Sequence, residues 1–317
     1  MPSNAKEDFV VEHDGEKYNI GKFLRFHPGG RNTLAALEGK DIAQKLRQYE
    51  HSDSALYLMK EYKLRRDARG ADDLEKLVDW NKPMLKQVGK LGARYSEWVQ
   101  SPVDRKLRLF ESDFVEKMTV TPWYLIPIIW IPLDVLLLYK GYSDTKQYFE
   151  DTYLPPWVLF CFASGFLLWT LLEYSIHRWL FHLHPPDTSP RLITFHFLMH
   201  GLHHKVPFDE SRLLIPPAPA AIVVVILYCL FYSILPLWMM HYFVAGILAG
   251  YVVYDLTHFY LHYGSPRPNT FFYHMKRYHN HHHFTEPDNG YGISCDIWDR
   301  VFRTQIYLKK LKFSLRW

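Results

Sequence analysis

Histidine is the residue type that stands out, both by number and by place. The 317-residue chain has eighteen, and fifteen of them fall between His177 and His283. Ten form four groups: His177 and His182 in HRWLFH, His200, His203 and His204 in HGLHH, His258 and His262, and His279, His282 and His283 in HNHHH. Spacings of three and four put side chains on one helical face. The five-residue step from His177 to His182 turns ~140° on an ideal helix. That pair either serves two metals or lies where the helix unwinds as it leaves the lipid. Imidazole is the commonest protein ligand for iron, zinc and copper, and a single metal takes three or four such ligands. Ten therefore imply two metals with about five each. Asp187 is the only acid between His177 and His204, so the inward carboxylates of ferritin-like di-iron sites are missing. All-imidazole ligation leaves the metal charge uncompensated, which suits attack on an unactivated C–H bond. His184, His196, His241, His274 and His281 fall outside the groups, with His196 read as structural or supporting. Tyr254 and Asp255 lie one turn before His258 and read equally as helix packing or as groups that orient an imidazole.

A second constellation lies near the start. HPGG (His27 to Gly30) follows the apolar patch GKFLRF, and His51 comes 24 residues after His27 in HSDSA. Pro28, Gly29 and Gly30 form a tight turn that would present His27 to a planar ligand. Two neutral imidazoles on opposite faces of a haem give a six-coordinate iron that transfers electrons and does not bind oxygen.

These residues need elements to hold them. Hydrophobic residues make up 48% of the chain and charged residues 22%, which excludes disorder, collagen or coiled coil as a description of the whole. Residues 1–66 are polar with short apolar patches. Residues 67–120 are charged and Trp-bearing and read as a linker with short helices. From Pro122 four apolar stretches follow, near Trp123–Tyr139, Trp157–Ile176, Ile215–Leu235 and Tyr242–Leu261. A helix of ~20 residues spans the bilayer core. The first stretch is interrupted by Pro127, Pro132 and Asp134, and would be re-entrant if it does not cross. In the third, Pro216, Pro217 and Pro219 delay the helix start. Aromatics at 17% fit interfacial belts. The second and fourth stretches both exit into histidine-rich sequence and must end on one side. Nine Lys and Arg follow Tyr263 and none lies in Pro236–His241, which puts the histidines and both termini in the cytosol. A net charge of +4 with no basic block argues against a nucleic-acid partner. Three cysteines make no disulfide framework, and residues 1–20 have no apolar run of the kind a cleavable signal peptide carries.

Residues Phe9–Leu64 resemble a cytochrome b5-type haem domain, with His27 and His51 matching its two axial ligands. The motifs VDWNKPMLKQVGKLG, TPWYLIPIIW, EYSIHRWLFH, HGLHHK, DLTHFYLHYG and KRYHNHHH resemble the fatty acid 2-hydroxylase (sphingolipid alpha-hydroxylase) family over nearly the whole chain. The resemblance implies a mainly α fold: a four-transmembrane-helix domain (121–317) with a cytosolic histidine-rich helical cap, a linker of amphipathic helices (67–120), and a small α+β haem domain (1–66), abbreviated at its N-terminus. It implies a multi-pass endoplasmic-reticulum membrane enzyme that hydroxylates long-chain fatty acids, or the acyl chain of ceramides, at the carbon next to the carbonyl. The implied cofactors are haem b at His27 and His51 and two iron ions, replaceable by zinc on purification, at His177, His182, His200, His203, His204, His258, His262, His279, His282 and His283. The implied partners are molecular oxygen, an NAD(P)H-dependent cytochrome reductase, membrane lipid and the acyl lipid substrate. A sterol or carotenoid oxidase or a fatty-acyl desaturase shares such histidine boxes. From a different class, a haem electron carrier with structural zinc is the further alternative.

Overall fold

The computed structural model describes residues 8–64, 73–149, 156–310 and 315–317. The chain opens with a hairpin, β1 (Val10–His13) against β2 (Glu16–Asn19), antiparallel with Val10 facing Asn19. Its turn is Asp14-Gly15, both at positive φ (50° and 74°), which matches the twist of a two-residue hairpin. Two short helices follow, α1 (Ala43–Gln48) and α2 (Asp53–Met59). Phe9, Val11, Ile20, Leu24, Ile42, Leu58 and Tyr62 form the core of this unit. The boundary expected between residues 66 and 67 lies outside the described residues.

The next segment carries α3 (Leu85–Val88), α4 (Tyr95–Val99) and α5 (Asp113–Met118). It is more than a spacer. Met84, Val88, Trp98, Val103 and Leu109 are buried in one core with Ile193, Phe197 and Leu202 from the histidine-bearing region. The short helices thus form a layer under the cap.

Among the described residues, four helices are long and apolar enough to cross a membrane. They are α6 (Leu125–Phe149), α7 (Pro156–Ser175, continuing to Phe181), α10 (Pro217–Ile234) and α11 (Leu237–Tyr263). Between α7 and α10 lie α8 (Pro190–His196) and α9 (Leu202–Lys205); α12 (Phe271–Phe284) and α13 (Ile297–Phe302) follow α11. Pro127 and Pro132 do not split α6. Pro127 sits in the first turn, where a missing N–H has no partner to lose, and Pro132 lies within the helix, as membrane helices tolerate. Pro217 and Pro219 likewise occupy the first turn of α10. Only Leu235 and Pro236 separate α10 from α11.

The centre of the bundle is α11, and its partner is α7. A Cβ on Gly246 would lie 2.0 Å from the Phe162 carbonyl oxygen, and one on Gly165 would lie 2.0 Å from that of Phe243. These reciprocal contacts let the two backbones touch, the device small residues provide between membrane helices. Both helices run toward the same end, so His177, His258 and His262 arrive together. At the other end Phe149, Trp157 and Trp238 pack ring on ring, in the manner of an interfacial aromatic belt. The substitution Gly246→Ala is expected to destabilise the folded protein by ~1–3 kcal/mol through overpacking, read as an earlier unfolding midpoint in detergent. An unchanged midpoint would show that the backbones do not touch as described.

Candidate metal centre

The histidines converge where the bundle meets the cap. His203, His258, His262, His279 and His283 form one group whose ligand nitrogens all lie within 4.8 Å of one another, and His177, His182, His200 and His282 form a second. His204 lies between them, its Nε2 3.0 Å from that of His200 and its ring 4.5 Å from that of His283. The structure therefore gathers all ten residues singled out in the sequence into one place.

Local helix geometry explains how. The chain from Ile176 to Phe181 winds as a π-helix, and the His182 N–H donates to the His177 carbonyl five residues back (3.0 Å). In that wider turn, side chains five apart share a face, unlike in an α-helix. His177 and His182 accordingly lie in one group, and the ~140° offset of the ideal helix does not apply. A second π turn, Phe197–Gly201, carries His200, and α9 then brings round His203 and His204. Gly201 is needed there because a Cβ would lie 2.6 Å from the Tyr95 hydroxyl. His279, His282 and His283 share a face of α12, which Thr270 caps by accepting from the Tyr273 N–H (3.3 Å).

The nitrogens face each other. His279 Nε2 lies 3.2, 2.8 and 3.0 Å from the Nε2 atoms of His258, His262 and His283. A neutral imidazole nitrogen offers either one N–H or one lone pair, so His279 Nε2 cannot hydrogen-bond all three. His182 Nε2 and His282 Nε2 are buried without a hydrogen-bond partner. A shared cation resolves both facts. Nitrogens ~2.1 Å from a metal and at right angles to each other lie ~3.0 Å apart, close to the 2.8–3.2 Å separations seen here. The donor set therefore fits transition-metal ions, with His177, His182, His200, His204 and His282 beside His203, His258, His262, His279 and His283.

Sequence reasoning missed the groups that aim these rings. The Nδ1 of His177 contacts the Tyr291 carbonyl (2.6 Å), and that of His282 the Asn289 carbonyl (2.7 Å). Donation from Nδ1 leaves the Nε2 lone pair for a metal. The carbonyls are fixed in turn. Asp299, fully buried, accepts from the N–H groups of Tyr291 and Gly292 (2.9 and 2.8 Å), and the Glu173 carboxylate accepts from the Ser294 N–H (2.8 Å). A backbone carbonyl has no residue-type signature, although the turn-forming DNGYG hinted at a constrained loop. Tyr254 places its ring 6.0 Å from that of His258, Asp255 is fully buried beside Tyr251, and no hydrogen bond joins either of them to an imidazole among the described residues. Their surroundings are those of helix packing. His196 stands outside both groups, hydrogen-bonded to the Tyr95 hydroxyl (2.5 Å). His184, His241, His274 and His281 also lie outside, each beside a carboxylate.

The second constellation also forms. The rings of His27 and His51 have centroids 6.3 Å apart. Two imidazoles bound through Nε2 to one iron, at ~2 Å each, would place their centroids at about that distance. His51 Nδ1 contacts the Tyr49 carbonyl (2.6 Å) and His27 Nδ1 lies 3.4 Å from the Gly30 carbonyl, which leaves both Nε2 atoms for the metal. A Cβ on Gly29 would lie 2.7 Å from the His27 ring, so HPGG also makes room for that ring.

This chain matches the fatty acid hydroxylase family over residues 162–304 and the cytochrome b5-like haem/steroid binding domain over residues 2–68. It is 42% identical to the fatty acid 2-hydroxylase of Rattus norvegicus, over 93% of this chain and 91% of that protein. The chain belongs to the fatty acid 2-hydroxylase family. It is 29% identical to the Saccharomyces cerevisiae ceramide very long chain fatty acid hydroxylase SCS7, over 98% of this chain and 95% of that one. A solved structure described as full-length Scs7p, with only the hydroxylase domain visible, superposes with a TM-score of 0.66 at 32% identity, covering 77% of this chain and 91% of that one. The protein is thus a hydroxylase with a multi-pass apolar bundle and a cytochrome b5-like domain.

Two outcomes follow for the hydroxylase site. Burial holds His282 down at about 4 and His182, His200, His203, His204, His279 and His283 well below 6.5. Below pH 6.5 the unfolded chain takes up protons that the folded chain refuses. The histidine contribution to the stability of the metal-free protein is therefore level above that pH and falls as pH drops from 6.5 toward about 4; a flat thermal-unfolding profile between pH 6.5 and about 4 would contradict the burial. Asp299→Ala should loosen the loop behind His177 and His282 and weaken metal affinity by about 10–100-fold, measured by competition with a chelator.

Proposed function

We propose that this chain hydroxylates the carbon next to the carbonyl of a long acyl chain, presented as a fatty acid or within a ceramide. The carrying observation is the convergence of ten imidazoles, with no carboxylate in either group among the described residues, at the end of an apolar bundle. The names of the relatives, fatty acid 2-hydroxylase and ceramide very long chain fatty acid hydroxylase, support the same reading. The overall change is insertion of one oxygen atom of dioxygen into a C–H bond. The other atom leaves as water, with two electrons and two protons consumed.

The ten histidines would hold two iron ions, which supply oxygen activation when bound. Zinc can take those places in purified protein. His27 and His51 would hold haem b, which supplies one-electron transfer when bound. An NAD(P)H-dependent cytochrome reductase is the source of the electrons. The chain's own residues do the rest. Burial keeps the imidazoles neutral, the form in which they bind metal. The Tyr291 and Asn289 carbonyls fix two ring orientations. α10 turns Ile222, Val225, Ile226 and Leu230 outward, an apolar surface along which an acyl tail can lie. With the tail along the bundle and the head halted at the cap, the carbon beside the carbonyl is the one presented, and reactivity is selected by position. The basic C-terminal segment supports a cytosolic cap and cytosolic termini, and the family resemblance supports an endoplasmic-reticulum membrane.

His203→Ala and His282→Ala should each lose product and lower bound metal while membrane insertion is kept. Mass spectrometry of lipids from expressing cells should show one added oxygen beside the carbonyl, whereas loss of two hydrogens would mark a desaturase instead. His51→Ala should stop turnover driven by the reductase. Full reductase-driven turnover in that variant would mean another carrier feeds the site.

A further inference from the structure

Several contacts hold the cytochrome b5-like domain against the hydroxylase, and three sets stand out among them. The first is ionic. Glu61, just after α2, takes two hydrogen bonds from Arg105 (2.7 and 2.6 Å); Arg105 also lies 4.0 Å from Glu75, and Glu75 pairs with Lys205 (2.7 Å). Lys205 is fully buried and directly follows His203 and His204. From the domain side Tyr57 donates to Glu75 (2.7 Å) and Tyr62 to Asp104 (3.0 Å). The second is aromatic. Phe208, three residues after Lys205, stacks on Phe26 (4.6 Å between centroids) and meets Phe23 at 5.9 Å and Phe284 at 6.3 Å. Phe23 lies edge-on to His27 (5.8 Å), and Phe284 adjoins His283 (6.1 Å). The third is a backbone clasp. The Arg31 N–H donates to the Arg316 carbonyl (2.6 Å), and the Arg316 N–H to the Asn32 side chain (3.1 Å). Gly30 sits at φ 80°, and a Cβ there would lie 2.8 Å from the Arg316 nitrogen. Leu315 is in turn tied to the Tyr273 hydroxyl of α12 (2.9 Å).

We propose that the cytochrome b5-like domain works from this one docked position, and that Phe208 is the positioning residue that couples the His27–His51 site to the ten-histidine centre. The proposal rests on the electron-supply reading above. Each transfer oxidises ferrous haem to ferric and delivers one electron to the metal centre, the haem being reduced again by a one-electron reductase. Undocking would expose Phe23, Phe26, Phe208 and Phe284 together to water, which is unfavourable, and would break the two Arg105–Glu61 hydrogen bonds. Docking also keeps the path short, because successive rings from His27 through Phe23, Phe208 and Phe284 to His283 have centroids no more than 6.3 Å apart.

The test uses the full-length protein in detergent, with two readouts. Amide hydrogen exchange, followed with or without cofactors, reports docking at Arg31. Stopped-flow absorbance reports how fast pre-reduced haem reoxidises in the presence of oxygen and acyl substrate. Phe208→Leu keeps bulk and removes the ring. It should leave exchange, haem absorbance and metal content unchanged but slow reoxidation by about tenfold, and Phe208→Tyr should restore the rate. Arg105→Ala, or Glu61→Gln if that variant does not fold, should raise Arg31 exchange by about tenfold and slow reoxidation too. Wild-type reoxidation in Phe208→Leu would overturn the role of Phe208. Fast Arg31 exchange in the unmodified protein, or an undocked variant with unaltered reoxidation, would overturn the docked position. If the protein makes no 2-hydroxy product the proposed function fails, yet the exchange result still decides the docking.

Discussion

The rest of the architecture depends on the mutual exposure of imidazole nitrogens in a largely buried place. A buried polar atom left unpaired costs ~1–3 kcal/mol, and here several nitrogens meet with too few protons to bond one another. Only a positive ion satisfies them together, so in the free chain the site is a reservoir of unfavourable energy that binding releases. That cost has to be carried by rigid surroundings. The touching backbones of α7 and α11, the clamped Asn289–Gly292 loop and the two π turns all keep the rings from relaxing apart.

The layer of short helices under the cap belongs to the same problem. Lys205 carries a charge into the interior immediately beside two of the histidines, and a lone buried ammonium would be untenable there. Glu75, the Ser101 carbonyl (2.6 Å) and the Trp98 ring (4.5 Å) meet it. Residues 73–110 thus close off the histidine helices and, through Arg105, extend the same ionic contacts to the N-terminal domain. Polar composition made this stretch look like a spacer, yet its apolar residues are few and well placed, and Met84, Val88 and Trp98 are wholly buried.

Much was legible in the sequence because residue type, spacing and long apolar runs are recorded there directly. The histidine groups, the HPGG turn with its distant partner His51, and four spans could be read in that way. What could not be read was conformation that breaks an ideal rule. His177 and His182 diverge on an ideal α-helix, which left two metals or local unwinding as alternatives, and nothing in HRWLFH announces the wider turn that decides between them. Asp255 looked like a candidate to orient His258 because it is one turn away, whereas the orienting contacts seen are backbone carbonyls at other rings, Tyr291 for His177 and Asn289 for His282. α6 looked broken at Pro132, although a helix can continue past a proline where its neighbours satisfy the freed carbonyl.

The π turn at Ile176–Phe181 sets an unusual kind of constraint. Trp179 and Leu180 lie on its outer side, 57% and 39% exposed, and touch neither histidine group. Many apolar side chains would serve in their places. Their number, however, is fixed: losing or gaining one residue between His177 and His182 would swing one imidazole away from its companions. In this stretch the chain is permissive about identity and strict about length.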